Sequence, residues 1–313
     1  MAKPKIDLWL IDPSNSFYLE GDPAKGPIFT LTPNVRCING AGANWQGELA
    51  VPGAQASGYR VRDMIIKHLD VWNAIKVTWD SHRRYDIGHA ISYAFDPKNP
   101  IPKNIPMEEL RKLEKPPIFN QITHDMLLKR HCVPILEKMI LGRAKRQTLG
   151  DWLLEYTEKS NIDIWPEHCI IGSLGHAFHE SINEGLNRWE GDMVEAVEYF
   201  VKGDFAWSEH YGAVEAAVPH PEFASTMVKS AIIEMMKKTD LIIIAGQART
   251  HCIPNTFDQV VKHATEDIVK KFIFLEDGSN SVPGFEHLYD DWVNRMTRLH
   301  MRITTTDQIH RFF

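Results

Sequence analysis

Cysteine is scarce in this chain, with Cys37, Cys132, Cys169 and Cys252 as the only four in 313 residues and no C-x-x-C pair among them. Such sparse, scattered thiols do not make a disulfide framework, and they suit a reducing compartment. No apolar run approaches the roughly 18 residues of a membrane span, so a membrane protein is not expected. The opening MAKPKIDLWLID has only a short apolar run that ends in an aspartate, and so lacks the apolar segment of a secretory signal. Basic residues form no stripe, and 41 acidic against 35 basic side chains leave a net charge of -6. A phosphate backbone demands the opposite, so nucleic acid is not an expected partner. There is no internal repeat and no low-complexity tract. The run GAGANWQG at 40–47 lacks the G-x-G-x-x-G spacing of a dinucleotide site and follows no clear strand. What these absences leave is a globular, cytoplasmic protein whose homo-oligomerisation the sequence leaves open.

An apolar share of 43% is enough to fill the core of one large domain or two small ones. Short apolar runs at 6–11 (IDLWLI), 74–79 (AIKVTW), 197–201 (VEYFV), 240–245 (DLIIIA) and 271–275 (KFIFL) do not alternate in and out. They read as parallel strands buried on both faces. Helical period appears between them, at 58–70, 222–238 and 255–268. The expected fold is therefore α/β, a doubly wound, mostly parallel three-layer sheet of the Rossmann type. Residues 97–160 break this rhythm: they open with PKNPIPKNIP and continue into helical stretches around 123–141 and 147–159. The core is accordingly assigned to 1–96 and 161–313, with 97–160 as a helical insertion or small cap subdomain. Residues 18–47, rich in Gly, Pro and Asn, read as a long loop near the site.

Ligands of a doubly wound sheet bind outside the carboxyl ends of its strands, so polar residues there carry most weight. Asp12 closes LWLID, Asp80 and His82 close VTWDSH, Lys202 closes YFVKG, and Cys252 follows IIIAGQARTHC. Singly, each has a bland reading: the aspartate as a turn former, the lysine as a solvated cation, the cysteine as a small buried hydrophobe. Their joint placement is what points to chemistry. Cys252 stands where a loop gives way to a helix, with Pro254 in its first turn, and the lysine and helix terminus would favour its thiolate. Asp80 and His82, two apart, point the same way on an extended segment, and His168 arrives from WPEHC. A carboxylate with two imidazoles suits a borderline divalent ion and leaves coordination positions open. His89 is a candidate fourth or outer ligand. With 15 histidines in the chain, accidental pairs are common, and His124, His131, His176 and His251 read as ordinary surface or core histidines.

These residues sit in blocks that together resemble the nicotinamidase/pyrazinamidase branch of the isochorismatase-like cysteine hydrolases. The blocks are LWLIDPSNSF at 8–17, LAVPGA at 49–54, TWDSH at 78–82, WPEHC at 165–169, VKGDF at 201–205, AGQARTHC at 245–252 and FLEDGSNSV at 274–282, in family order. The resemblance implies a catalytic Asp12, Lys202 and Cys252, and an oxyanion hole from the Ala248 and Cys252 backbone N–H groups beside a cis peptide at Gln247–Ala248. It also implies one divalent metal, zinc first with manganese or iron compatible, on Asp80, His82, His168 and in addition His89. Phe17, Trp165 and Tyr211 would enclose a substrate ring. The implied reaction is hydrolysis of nicotinamide to nicotinate and ammonia through a cysteine thioester. The chain departs from the family pattern at Arg249 and Thr250, where Thr and Asp are usual, in the loop carrying His89, and in the long insertion. Another amide or carbamoyl substrate, a metallohydrolase in which Cys252 is incidental, and a non-catalytic pyridine-binding protein are the rival readings.

Overall fold

Every residue of IDLWLI is buried, and its alternate side chains enter two different cores: Ile6, Leu8 and Leu10 one, Trp9 and Ile11 the other. Such a strand must have both faces covered. The computed structural model, which describes residues 3–20, 46–142 and 146–313, shows how this is achieved. The six strands of the main sheet are β1 (Ile6–Ile11), β2 (Ala74–Asp80), β3 (Glu198–Lys202), β4 (Leu241–Gln247), β5 (Phe272–Asn280) and β6 (Arg302–Thr304). They pair in parallel throughout, in the order β6-β5-β4-β1-β2-β3. One layer of cover is α1 (Ala54–Lys67) and α2 (Glu180–Met193), whose Val61, Ile65, Ile182, Leu186 and Trp189 meet Leu8, Ile243 and Ile273. The other is α3 (Ser230–Lys238), α4 (Cys252–His263) and α5 (Glu286–Arg298), whose Ile233, Phe257 and Trp292 meet Trp9, Ile244 and Phe274.

This order turns back at β1 and β4, the chain running outward to β3 on one side and to β6 on the other. The turning point opens a crevice at the carboxyl ends of these two central strands. Towards the amino ends of these strands the buried Lys76 ammonium lies 2.9 Å from the buried Asp7 and 3.1 Å from the more exposed Glu198.

Residues 97–160 are less helical than the sequence pattern predicts. Only His124–Leu128 of the expected 123–141 stretch is helix. Arg130 takes a left-handed backbone, and Cys132–Pro134 then pairs antiparallel with Tyr93–Phe95. Pro134 has no N–H for a helix, whereas a short strand pair tolerates it. Leu149–Thr157 is helical and starts on a capping box between Thr148 and Asp151. Its Trp152, Leu153 and Tyr156 pack with Ile122, Ile164, Phe205 and Trp207 as a third core beside the crevice. The helix expected from 222 begins only at Ser230, because the Thr226 hydroxyl bonds the backbone of His220 and Phe223 and holds the preceding loop. The 255–268 helix ends at His263, followed by a 3-10 turn from Glu266. Cys37 and most of the 18–47 loop lie outside the described residues. Among the described residues no helix is long and apolar enough to cross a membrane.

Ile244, fully buried at the centre of the sheet, has no room to be replaced by solvent. Ile244→Ala is expected to lower the unfolding free energy by ~2–5 kcal/mol, measured by urea denaturation.

Candidate active site at the sheet switch point

The parallel register sets the first pair of charges. Asp80 and Lys202 are direct partners on β2 and β3, so both side chains leave the carboxyl edge together. The Lys202 ammonium, 1% exposed, donates to Asp80 Oδ1 at 2.8 Å and to the His210 carbonyl at 3.1 Å. It also lies 3.0 Å from Asp12 Oδ2 and 3.8 Å from Cys252 Sγ. Asp12 follows β1 with φ of 44°, a left-handed turn that aspartate tolerates. Its N–H donates to Thr78 Oγ1 at 3.0 Å, and the Thr78 hydroxyl donates to Asp12 Oδ1 at 2.6 Å. Cys252 opens α4, with Pro254 in the first turn, and the Gln247–Ala248 peptide before it is cis.

The two carboxylates around Lys202 are driven in opposite directions. Burial raises the Asp12 carboxyl, against the Lys202 charge. Asp80 is held well below the usual carboxylate range: burial opposes this, but the His82 and Lys202 charges and a His168 hydrogen bond prevail. For Cys252, burial is the leading effect and raises the thiol well above its ordinary value; Lys202 opposes it, and Asp12 and Asp80 reinforce it. Lys202 thus acts in the direction expected from the sequence, but it is not the leading effect. Burial and two nearby carboxylates outweigh the one ammonium.

Beyond Lys202 the crevice gathers a donor set. His82 Nε2 is 3.1 Å and His168 Nε2 3.5 Å from opposite oxygens of Asp80, and candidate ligand atoms of the three residues lie within 4.8 Å of one another. His82 Nδ1 faces Asp86 Oδ2 at 3.3 Å, and His168 Nδ1 lies 2.8 Å from the Pro166 carbonyl. Such outer partners orient imidazole ligands. His89 stands beside this group rather than in it. Its Nε2 accepts from the His168 backbone N–H at 3.5 Å, and burial lowers its imidazole to about 3.

Two residues that the sequence reading did not single out complete the wall. Glu209 is buried with Oε2 unpartnered, and burial pushes its carboxyl up to about 8. No motif announces it; only its position seven residues after Lys202 could have drawn attention. His251, read from sequence as an ordinary histidine, instead lines the cavity beside Cys252. The cavity is small, about 40 Å³, and is bounded by Phe17, Trp165, Tyr211, Ala248 and Cys252 as well.

A doubly wound α/β protein with a cysteine, an ammonium, two carboxylates and two imidazoles at its switch point is what these coordinates define. Solved structures that share this fold include nicotinamidases. The Acinetobacter baumanii nicotinamidase pyrazinamidease matches over 99% of this chain and 100% of its own, at 16% identity and a TM-score of 0.56. The yeast nicotinamidase bound to the inhibitor nicotinaldehyde matches over 96% and 99%, at 14% identity and a TM-score of 0.57. No protein-family model matches the chain, and no curated protein matches it significantly.

The buried His251 imidazole gives the wall a pH signature. Burial lowers it from 6.5 to about 4, against the pull of Asp163. Between those values the unfolded chain holds a proton that the native protein does not, so stability falls as pH drops through this window. His251→Gln removes this contribution. Its loss of unfolding free energy between about pH 7 and about pH 4.5 is expected to be smaller than that of the wild type in urea titrations.

Proposed function

We propose that this protein is a metal-dependent cysteine amidohydrolase of the isochorismatase-like family, converting nicotinamide to nicotinate and ammonia. One observation carries the reading: a single buried ammonium stands 3.0 Å from Asp12 and 3.8 Å from the Cys252 sulfur, at the edge of the Asp80, His82 and His168 donor set. The likeness in fold to nicotinamidases, one of them solved with nicotinaldehyde, supports the same substrate class.

In this reading Asp12 takes the Cys252 proton as the sulfur attacks the amide carbonyl, which suits a protonated resting thiol beside a carboxylate of raised affinity. The Ala248 and Cys252 backbone N–H groups hold the developing oxyanion. Asp12 then passes its proton to departing ammonia and draws one from the water that cleaves the thioester. Lys202 keeps Asp12 oriented and offsets the negative charge of each intermediate. Phe17, Trp165 and Tyr211 enclose the ring.

The donor set fits a divalent ion of the zinc type: a carboxylate held anionic, two imidazoles with outer partners, and an orphaned buried carboxylate oxygen on Glu209 facing the same cavity. Asp80, His82 and His168 would hold it, with His89 buttressing His168. When bound it would supply a positive charge that docks the pyridine nitrogen. A different amide or carbamoyl compound is the alternative substrate, motivated by Arg249 in place of the family's threonine. Its guanidinium donates to the Ser281 hydroxyl and stacks 4.4 Å from the Tyr289 ring.

Cys252→Ala and Asp12→Asn are each expected to lower ammonia release from nicotinamide at least about a thousandfold. An unchanged rate in Cys252→Ala would eliminate the thioester route. Chelation is expected to abolish turnover and added zinc or manganese to restore it; a chelated protein working at full rate would remove the metal from the proposal.

A further inference from the structure

The cavity wall formed by Trp165 and Tyr211 is braced from the 97–160 segment. Gln121–Ile122 pairs antiparallel with Ile162–Asp163, and two further bonds lengthen this ladder. The Phe119 N–H donates to the Ile164 carbonyl at 2.6 Å, and the Ile164 N–H to the Asn120 carbonyl at 2.9 Å. The next residue is Trp165, whose own N–H is held by the Gly88 carbonyl at 2.8 Å. Ile162 and Ile164 are buried in the third core, whereas Asp163 between them engages polar partners instead. Its carboxylate accepts from Gln121 Nε2 at 2.7 Å and from the Tyr211 hydroxyl at 2.5 Å. The Phe119 ring stands edge-on to Trp165, at 6.0 Å and 84°, and Trp165 meets His251 edge-on at 5.3 Å.

Phe119 and Gln121 are themselves exposed and do not line the cavity. Each contacts a residue adjoining or lining it: Phe119 the Trp165 indole, Gln121 the carboxylate that anchors Tyr211. We infer that the 97–160 segment selects the substrate, with Phe119 and Gln121 as positioning residues that hold Trp165 and Tyr211 rigid, so that a small, unsubstituted heteroaromatic amide is accepted and ring-substituted ones are rejected. This rests on the amidohydrolase reading above. It assigns to the segment a role that the catalytic groups, all from outside it, do not fill. A hydrogen-bonded ladder is stiff where a free loop is not. A wall so held cannot retreat to admit an extra methyl group, which is how pockets of this kind discriminate.

The test uses the full chain with its metal and measures kcat and KM for nicotinamide and for a set of ring-methylated nicotinamides. Gln121→Ala and Phe119→Ala, at exposed positions, are the informative variants, and Tyr211→Phe is the direct comparison. Expected is a KM for nicotinamide raised about three- to tenfold with kcat within about twofold, and a preference for nicotinamide over its methylated forms reduced about fivefold or more. A merely structural role would lower the rates with all amides alike and leave the preference where it was; that result, in an active enzyme, overturns the inference alone. A wild-type protein that releases ammonia from none of these amides sinks the underlying reading, and the inference with it.

Discussion

The site depends on one ammonium without access to water. Lys202 is buried against Asp12 and Asp80, and stripping a charge of its hydration costs several kcal/mol unless opposite charges replace the water. Two carboxylates do so here, and they do not share the cation equally. Asp80 has two imidazoles besides and is held anionic. Asp12 has only the Thr78 hydroxyl and Lys202 to hold its charge against full burial, and its proton affinity rises. Environments that push two like groups apart are how one site comes to hold both a permanent anion and a proton carrier. Removing Lys202 would leave Asp12 without a counter-charge and Asp80 with its two imidazoles alone, and the two halves of the site would lose their common partner.

Topology makes that sharing possible. With β1, β2 and β3 adjacent on one side of the turning point and β4 on the other, four strand ends meet within one crevice. The ladder sets Asp80 opposite Lys202 on neighbouring strands, and Ile11 opposite Gly246, so that Asp12 and the loop to Cys252 leave the sheet side by side. None of these positions requires a long or flexible connection. Asp80 and Lys202 end their strands, and Asp12 and Cys252 follow theirs by one and five residues.

This is also why so much was legible in the sequence. Buried parallel strands announce themselves as unbroken apolar runs, and the residue that ends such a run is a strand end by construction; Asp12, Asp80 and Lys202 could be placed at the crevice on that ground. What failed to show was of three kinds. Strand β6 is short and partly exposed, and RIT carries too little apolar signal to read. Residues 129–141 have apolar spacing compatible with a helix, yet a left-handed Arg130 and Pro134 divert them into short ladders. Glu209 and His251 gain their meaning only from burial beside the cavity, which no local pattern encodes. Sequence likewise shows the lysine near Cys252 but not the depth at which Lys202 is buried.

That depth changes what the nucleophile needs. A thiolate stabilised at rest is a weaker nucleophile than one formed at the moment of attack, because nucleophilicity falls with the thiol's acidity. A thiol kept protonated by burial needs a base within reach instead, and the base must itself be reluctant to stay ionised if it is to return the proton to a leaving amine. In the proposed reaction Asp12 would meet both conditions, since burial raises it and the Cys252 thiol together. In that proposal the fixed positive charge of Lys202 would lower the energy of whichever of the two is the anion at a given step, so that the proton crosses from sulfur to carboxylate beside a compensating charge.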